Sequence, residues 1–270
     1  MQLGIGSYTY TWSIGVPGSL PSKRMTAVDL VQRAHALGLR RIQIADNIPL
    51  DELSAEELDA LETTANRLEV AVEVGTRGIA PSHLLTYLNL AKRFRSNVLR
   101  VVVDTNTHHP SPEDVTDVFR AVVPEFEKSG VILAMENHDR FSAAGIARII
   151  ENVGSAHCGV CLDTVNSFGA LEGPAQVVAT LGPLCVNLHV KEFTIVRASH
   201  SMGFTVEGRP AGQGMLNVPW LLGELRKMGR DPNAIIELWT PPSATIEQTI
   251  AMEDDWTEQS VKYLRGFIAD

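Results

Sequence analysis

Eight short apolar runs alternate with longer amphipathic segments, and this alternation constrains the fold more than any other feature of the sequence. The runs are rich in Val, Ile and Leu, which is typical of strands that are buried on both faces of a parallel sheet. They cover residues 3–8, 41–46, 70–74, 98–104, 131–136, 158–163, 185–190 and 234–239. The segments between them have a helical spacing of apolar residues and cover residues 26–37, 51–68, 81–95, 112–128, 142–153, 173–181, 218–228 and 245–265.

Eight strand-plus-helix units in 270 residues leave about 34 residues for each unit, which is the size expected of a (β/α)8 barrel. No linker rich in Pro, Gly or Ser and no run of charge divides the chain. We therefore predict an α/β protein, a single (β/α)8 TIM barrel domain over residues 1–270, with a long loop at about 191–216 over the active site. The chemistry of this fold lies at the carboxyl ends of its strands.

The composition excludes several classes of function. The chain has a formal net charge of −9, whereas proteins that bind nucleic acid or anionic membranes need a basic surface. No segment approaches the roughly 18 consecutive apolar residues of a membrane span. The N-terminal segment lacks the pattern of a secretory signal and the chain has only three cysteines, so we predict a cytoplasmic protein. A small molecule is the expected partner, and a homo-oligomer is compatible with the sequence.

Polar residues stand at the carboxyl ends of the predicted strands. The first four strands end in Tyr8, Asp46, Glu73 and Asp104, and the last four end in Glu136, Asp163, His189 and Glu237. An ionised carboxylate that interrupts an apolar run must be paired or must bind a cation. Three carboxylates and one imidazole suit a divalent ion, with Mn²⁺ or Mg²⁺ favoured and Co²⁺, Zn²⁺ or Fe²⁺ as alternatives. The sequence therefore predicts one metal ion bound by the last four residues.

This ordered set, together with LHVKEF and GRPAGQGMLNVPW (208–220), resembles the xylose-isomerase-like barrel superfamily of sugar-phosphate isomerases and epimerases. The resemblance covers essentially the whole chain. It implies that the four residues bind one divalent metal and that Glu136 and Glu237 also serve as the acid and base on opposite faces of the substrate. A metal that holds a carbonyl oxygen stabilises the enediolate formed when the neighbouring carbon loses its proton.

One position departs from this resemblance. Asn166 stands three residues after Asp163, where many epimerases of the superfamily have a histidine that contacts the substrate. An amide can neither give nor take a proton in catalysis, which weakens the assignment as a ketose epimerase. An isomerase or epimerase of a small sugar or keto-sugar is still the leading hypothesis, because that role is the commonest in the superfamily. A metal-dependent decarboxylase of a 3-oxo sugar acid is the alternative, followed by a non-catalytic sugar-binding barrel.

The segment after His189 concentrates positive charge in an otherwise acidic chain. It predicts a lid whose cations bind a carboxylate or phosphate of the substrate, although a solvated loop with scattered bases would have the same composition. Rim aromatics predict the wall of a sugar pocket, but barrel packing explains them equally well. The predicted substrate-binding residues are His138, Asn166, Lys191, Arg197, His200, Arg209, Tyr8 and Trp12.

Overall fold

The computed structural model describes residues 1–268 and contains ten strands and nine α-helices in that range. The strands are β1 (Leu3–Gly6), β2 (Arg41–Ile44), β3 (Ala71–Arg77), β4 (Val98–Val102), β5 (Ile132–Glu136), β6 (Cys158–Asp163), β7 (Cys185–Val190), β8 (Glu192–Arg197), β9 (Phe204–Arg209) and β10 (Asn233–Ile236). The helices are α1 (Thr11–Ile14), α2 (Ala27–Ala36), α3 (Ala55–Leu68), α4 (Pro81–Arg93), α5 (Pro112–Ser129), α6 (Ala143–Val153), α7 (Pro174–Leu181), α8 (Val218–Lys227) and α9 (Ile246–Leu264).

Eight of the strands pair in parallel and close a barrel in the order β1-β10-β7-β6-β5-β4-β3-β2. Helices connect successive barrel strands and pack around the outside, and a continuous apolar core lies between the two layers. This is the predicted (β/α)8 TIM barrel. Because all eight strands run in the same direction, their carboxyl ends meet at one rim.

Local capping explains why the helices begin and end close to the predicted positions. Ser54 and Ser111 each accept the backbone N–H of the residue three positions on, and the side chains of Glu57 and Asp114 bond back to the cap. Such capping boxes satisfy N–H groups that the first turn leaves unpaired. α5 ends at Gly130, whose φ of 67° is left-handed and favours glycine. Among residues 1–268, none of the helices has the length and apolar character of a membrane span.

The interior of the barrel contains polar side chains as well as aliphatic ones. Arg100 in β4 is only 2 % exposed and extends across the interior. Gly75 on the neighbouring strand makes room for it, since a Cβ at that position would lie 3.2 Å from Arg100 Cδ. Other buried polar residues of the barrel strands include Gln43, Glu73, Glu136, Asp163, Asn187 and His189.

The third strand differs from its prediction. We predicted that it ends in Glu73, but β3 continues to Arg77 because Gly75 and Thr76 pair with β4. Glu73 therefore lies inside the barrel, away from the carboxyl-end rim. The prediction is wrong because a polar residue in an apolar run does not end a strand whose next residues still pair with a neighbour.

The segment at about 191–216 is also more regular than the predicted loop. β8 and β9 form an antiparallel hairpin in which Glu192 pairs with Arg209. The Glu192 carboxylate accepts the backbone N–H groups of Gly212 and Leu216. These bonds fix the base of the hairpin next to β7.

Candidate functional site

A cavity of about 390 Å³ opens at the carboxyl end of the barrel. Its volume lies in the range of small-molecule sites. Seven of the residues predicted from sequence line it, namely Tyr8, Trp12, Glu136, His138, Asn166, Lys191 and Glu237. Asp163 and His189 lie just beneath, each with no exposed surface.

The four predicted metal ligands lie together at the floor of this cavity. Asp163 and His189 are register partners on β6 and β7, which places them side by side. His189 Nδ1 lies 3.3 Å from Glu237 Oε1, 3.4 Å from Glu136 Oε2 and 3.8 Å from Asp163 Oδ2. Asp163, His189 and Glu237 each offer a ligand atom within 4.8 Å of the other two. The structure thus brings three carboxylates close to one imidazole nitrogen, His189 Nδ1.

The hydrogen bonding of these groups fits a divalent cation. Within the described residues, His189 Nδ1 and Glu237 Oε1 are buried and have no hydrogen-bond partner. Lys191 Nζ approaches Asp163 Oδ2 at 2.9 Å and Glu237 Oε2 at 2.8 Å as an ion pair. Leaving a buried polar atom unpaired costs about 1–3 kcal/mol. Carboxylate oxygens with one imidazole nitrogen are suitable donors for the divalent ions considered above.

The two glutamates at the site have different surroundings. Both oxygens of Glu136 are occupied, since Asn166 Nδ2 donates to Oε1 at 2.7 Å and Arg100 Nε donates to Oε2. Burial alone would raise the pKa of this carboxyl, but the charge of Arg100 outweighs it and keeps the pKa below its usual range. Among the described residues, Lys191 is the one lysine or arginine that forms an ion pair with Glu237. Glu136 is therefore held in place as a carboxylate, whereas Glu237 faces the cavity with an unpaired oxygen.

Lys191 carries the one positive charge of the 191–216 segment that reaches the cavity in the described structure. Burial would lower the pKa of its ammonium, but Asp163 and Glu237 outweigh burial and raise it. The side chain therefore stays protonated at neutral pH, against the carboxylates on the cavity floor.

The other cations of that segment lie on the hairpin and not in the cavity lining, as far as residues 1–268 show. The Arg197 guanidinium stacks on Phe204 and donates to the Ser201 carbonyl. Arg209 forms an ion pair with Glu207 at 2.8 Å. His200 is exposed and accepts a backbone N–H from its own turn.

Sequence reasoning missed two arginines of the cavity, Arg77 and Arg100. Arg100 Nη1 donates to Asp46 Oδ1 at 2.8 Å, and Arg77 Nε donates to Asp46 Oδ2 at 2.8 Å. The Tyr8 hydroxyl donates to the same oxygen at 3.0 Å. The signal was present for Arg100, because it interrupts VLRVVVD as the predicted ligands interrupt their strands. A rule based on strand ends does not find Arg100, because this residue lies in the middle of β4.

The aromatic and histidine side chains of the rim are held by local bonds. Trp12 Nε1 donates to the carbonyl of Thr240 at 2.8 Å, which fixes the indole against the cavity. His138 Nδ1 lies 2.9 Å from Asp139 Oδ1, and about a third of its side chain is exposed. Both residues can therefore touch a molecule in the cavity.

Comparison with known proteins gives matches along most of the chain. A family model described as xylose isomerase-like TIM barrel matches residues 82–267. The 3-oxo-isoapionate decarboxylase of Pectobacterium atrosepticum is 33 % identical over 264 residues, which cover 98 % of this chain and 95 % of the relative.

Solved structures with the same fold have much lower sequence identity. D-psicose 3-epimerase from Clostridium cellulolyticum H10, with D-tagatose, superposes with a TM-score of 0.74 at 16 % identity over the whole of both chains. A xylose isomerase-like TIM barrel protein from Mycobacterium smegmatis, in complex with magnesium, has a TM-score of 0.69 at 14 % identity over 97 % of each chain. At this identity the likeness concerns the fold.

Proposed function

The chain belongs to the xylose isomerase-like TIM barrel family, and from that membership and the geometry of its site we propose that it is a metal-dependent decarboxylase of a 3-oxo sugar acid. The observation that carries this choice is the hydrogen bonding of Glu136. Epimerisation needs a proton-transfer group on each face of the substrate, and Glu136 is a weak base because Asn166 and Arg100 donate to its two oxygens and Arg100 keeps its pKa below the usual range. Loss of CO₂ from a 3-oxo acid needs no base to start the reaction. The near full-length similarity to a decarboxylase supports the same choice.

Asp163, His189 and Glu237 would hold the divalent ion, with Glu136 beside them. When bound, such an ion supplies Lewis-acid polarisation of the substrate's 3-oxo group, which favours release of CO₂ from the neighbouring carbon. Arg100 and Asn166 keep Glu136 ionised and fixed in orientation. The protein thus presents a preorganised set of charges at the position where the oxo group would bind.

The remaining step returns a proton to the carbon that has lost CO₂. The bond between that carbon and the carboxylate breaks, its electron pair moves toward the oxo oxygen, and one proton restores the C–H bond. Lys191 Nζ holds a proton at the cavity wall and lies 2.8 Å from Glu237 Oε2. We assign the returning proton to this pair, with Lys191 protonated before the reaction.

The anionic end of the substrate requires a cation in the cavity. Arg77 lines the cavity and a third of its side chain is exposed, although Asp46 accepts from its Nε. A guanidinium binds a carboxylate through charge-assisted bonds that are about twice as strong as neutral ones. Arg77 and Lys191 are therefore the groups that favour a sugar acid over a neutral ketose.

The test is an assay of CO₂ release with 3-oxo-isoapionate and related 3-oxo sugar acids, in the presence of Mn²⁺, Mg²⁺ or Co²⁺. In D₂O the product should contain one deuterium at the carbon that carried the carboxylate. Asp163→Asn serves as the matched variant, since it should lose bound metal while keeping the shape of the side chain. Full activity in excess chelator would contradict the role of the metal.

An isomerase or epimerase of a keto-sugar is the second candidate, because Glu136 and Glu237 both line the cavity and both approach His189 Nδ1. It predicts exchange of a ketose C–H for deuterium without release of CO₂. That result, obtained with a panel of ketoses, would replace the decarboxylase proposal.

A further inference from the structure

One buried carboxylate outside the cavity, Glu73, lies inside the barrel and accepts four hydrogen bonds. The donors are Arg41 Nη1 at 2.9 Å, Gln43 Nε2 at 3.1 Å, Asn187 Nδ2 at 2.9 Å and Asn233 Nδ2 at 2.9 Å. One donor is a guanidinium, which does not deprotonate in proteins, and an ionised carboxylate can only accept. Every neighbour of Glu73 in this set must therefore turn an N–H group toward it.

This requirement fixes the orientation of the Gln43 amide. Its Nε2 donates both to Glu73 Oε2 and to Asn187 Oδ1, the latter at 2.9 Å. A flipped amide would place the Gln43 carbonyl against two acceptor oxygens. Asn187 cannot rotate to relieve this, because its own Nδ2 donates to Glu73. The Gln43 carbonyl oxygen is therefore directed away from Glu73.

That carbonyl oxygen lies 2.7 Å from His189 Nε2. Because Gln43 Oε1 can only accept, the hydrogen of the contact must be on His189 Nε2. The other ring nitrogen, Nδ1, faces Glu136, Asp163 and Glu237. Of the two neutral tautomers of the ring, only the one with a lone pair on Nδ1 is compatible with this arrangement.

We propose that Gln43 and Glu73 are positioning residues that keep the hydrogen of His189 on Nε2 and thereby leave Nδ1 as a cation ligand. The inference rests on the metal-binding part of the proposed function and is independent of which reaction the metal serves. The hydrogen bonds link four side chains that are each at most 1 % exposed, namely Glu73, Gln43, Asn187 and His189. Water therefore does not compete for these bonds. Glu73 determines the orientation of the Gln43 amide, and Gln43 determines which nitrogen of His189 carries the hydrogen.

The test uses Gln43→Met, which removes the acceptor at similar size, and Glu73→Gln, which frees the Gln43 amide to flip. Asn233→Ala is the matched control, because it removes a donor to Glu73 without touching Gln43. Protein labelled with ¹⁵N in the histidine rings is studied by NMR without metal, and the His189 signals are assigned by their loss in His189→Asn. Mn²⁺ affinity is then measured by calorimetry.

We expect the wild type and Asn233→Ala to carry the hydrogen on Nε2 and to bind Mn²⁺ equally well. In Gln43→Met and Glu73→Gln a form with the hydrogen on Nδ1 should appear, and Mn²⁺ affinity should fall about 10- to 100-fold. If both variants keep the wild-type ring signals and affinity while melting at a lower temperature, the cluster is only structural and the inference is wrong. If the wild type has the expected ring signals and binds Mn²⁺ but releases no CO₂, the inference stands and the decarboxylase proposal fails.

Discussion

Two clusters of buried charge lie in one barrel, and they differ in how completely their polar atoms are paired. Around Glu73, toward the amino ends of the strands, one carboxylate receives four hydrogen bonds. Around Glu237, at the carboxyl ends, carboxylates and an imidazole face one another, and atoms of both have no hydrogen-bond partner within residues 1–268. The central carboxylates of the two clusters, Glu73 and Glu237, are each 1 % exposed.

We infer from this difference that the Glu237 cluster binds a ligand directly, whereas the Glu73 cluster supports the fold and acts on the site only through Gln43. Buried polar groups are normally hydrogen-bonded, and each exception requires an explanation. Both oxygens of Glu73 accept hydrogen bonds, although Arg41 Nε beside them is buried without a partner among the described residues. In the Glu237 cluster the unpaired atoms include carboxylate oxygens, so negative charge remains that its own cations do not fully pair. Burial alone would not distinguish the two clusters; the completeness of pairing does.

The largest expected effect is the loss of activity when the Glu237 cluster is changed. Glu237→Gln should lower the rate of CO₂ release by about 10²- to 10⁴-fold, because an amide cannot pass on a proton. Its free energy of unfolding should change little, because the amide oxygen still accepts from Lys191, whose ammonium also pairs with Asp163. Steady-state kinetics and urea unfolding check the two expectations. A clear loss of stability without loss of rate would contradict the comparison.

A change in the Glu73 cluster should instead lower the free energy of unfolding. Glu73→Leu leaves Arg41 and three amides without their acceptor, and breaking a buried ion pair in this way costs about 3–5 kcal/mol of folding free energy. Urea unfolding gives the value directly. Asn233→Ala, which removes one of the four donors, should cost clearly less. Equal stability of Glu73→Leu and the wild type would mean that the cluster contributes nothing to the fold.

The sequence predicted the fold and the grouping of four polar residues at the rim, because both depend on local patterns. A polar residue that ends an apolar run marks the rim of a barrel, and Glu136, Asp163, His189 and Glu237 all follow this rule. Those four residues do lie together, and whether they bind a metal stays a prediction.

The parts that could not be predicted depend on contacts between distant residues. Gln43 and His189 are 146 positions apart, and nothing in RIQIAD indicates that its amide meets an imidazole. Glu73 obeys the same local pattern as the ligands, yet β3 continues past it because β4 offers a pairing partner. Strand pairing is decided by neighbours in space, which is why the local rule fails there.

Another buried carboxyl, Glu253 in α9, sharpens the comparison because it has hydrogen-bond donors but no cation among the contacts of the described residues. Its oxygens accept the backbone N–H groups of Trp12 and Ser13 and the Ser13 hydroxyl. Burial raises its pKa from the usual 4.5 to about 7. A carboxyl whose pKa is higher in the folded state favours folding when it is protonated. Its contribution is therefore complete below about pH 4.5 and is lost as the pH rises to about 7.

We expect the free energy of unfolding of the wild type, relative to Glu253→Gln, to fall by up to about 3 kcal/mol across that pH range. The difference between the two proteins isolates Glu253, since the other titrating groups are the same in both. Urea unfolding at a series of pH values measures it. A difference that is constant with pH would mean that the three donors hold Glu253 ionised throughout, in the manner of Glu73.

The smallest effect is expected for charges that are neither buried nor in the cavity. Arg197 is exposed on the hairpin, where it stacks on Phe204 and bonds to Ser201, and exposed contacts of charged groups contribute about 0–1 kcal/mol. Arg197→Ala should therefore change kcat/KM for a 3-oxo sugar acid by less than about threefold. Lys191→Met, which removes the cavity's own ammonium, should lower it at least tenfold and serves as the positive control. A tenfold or larger loss in Arg197→Ala would show that the hairpin moves over the cavity and binds the substrate's anion, as the charge pattern of the sequence predicts.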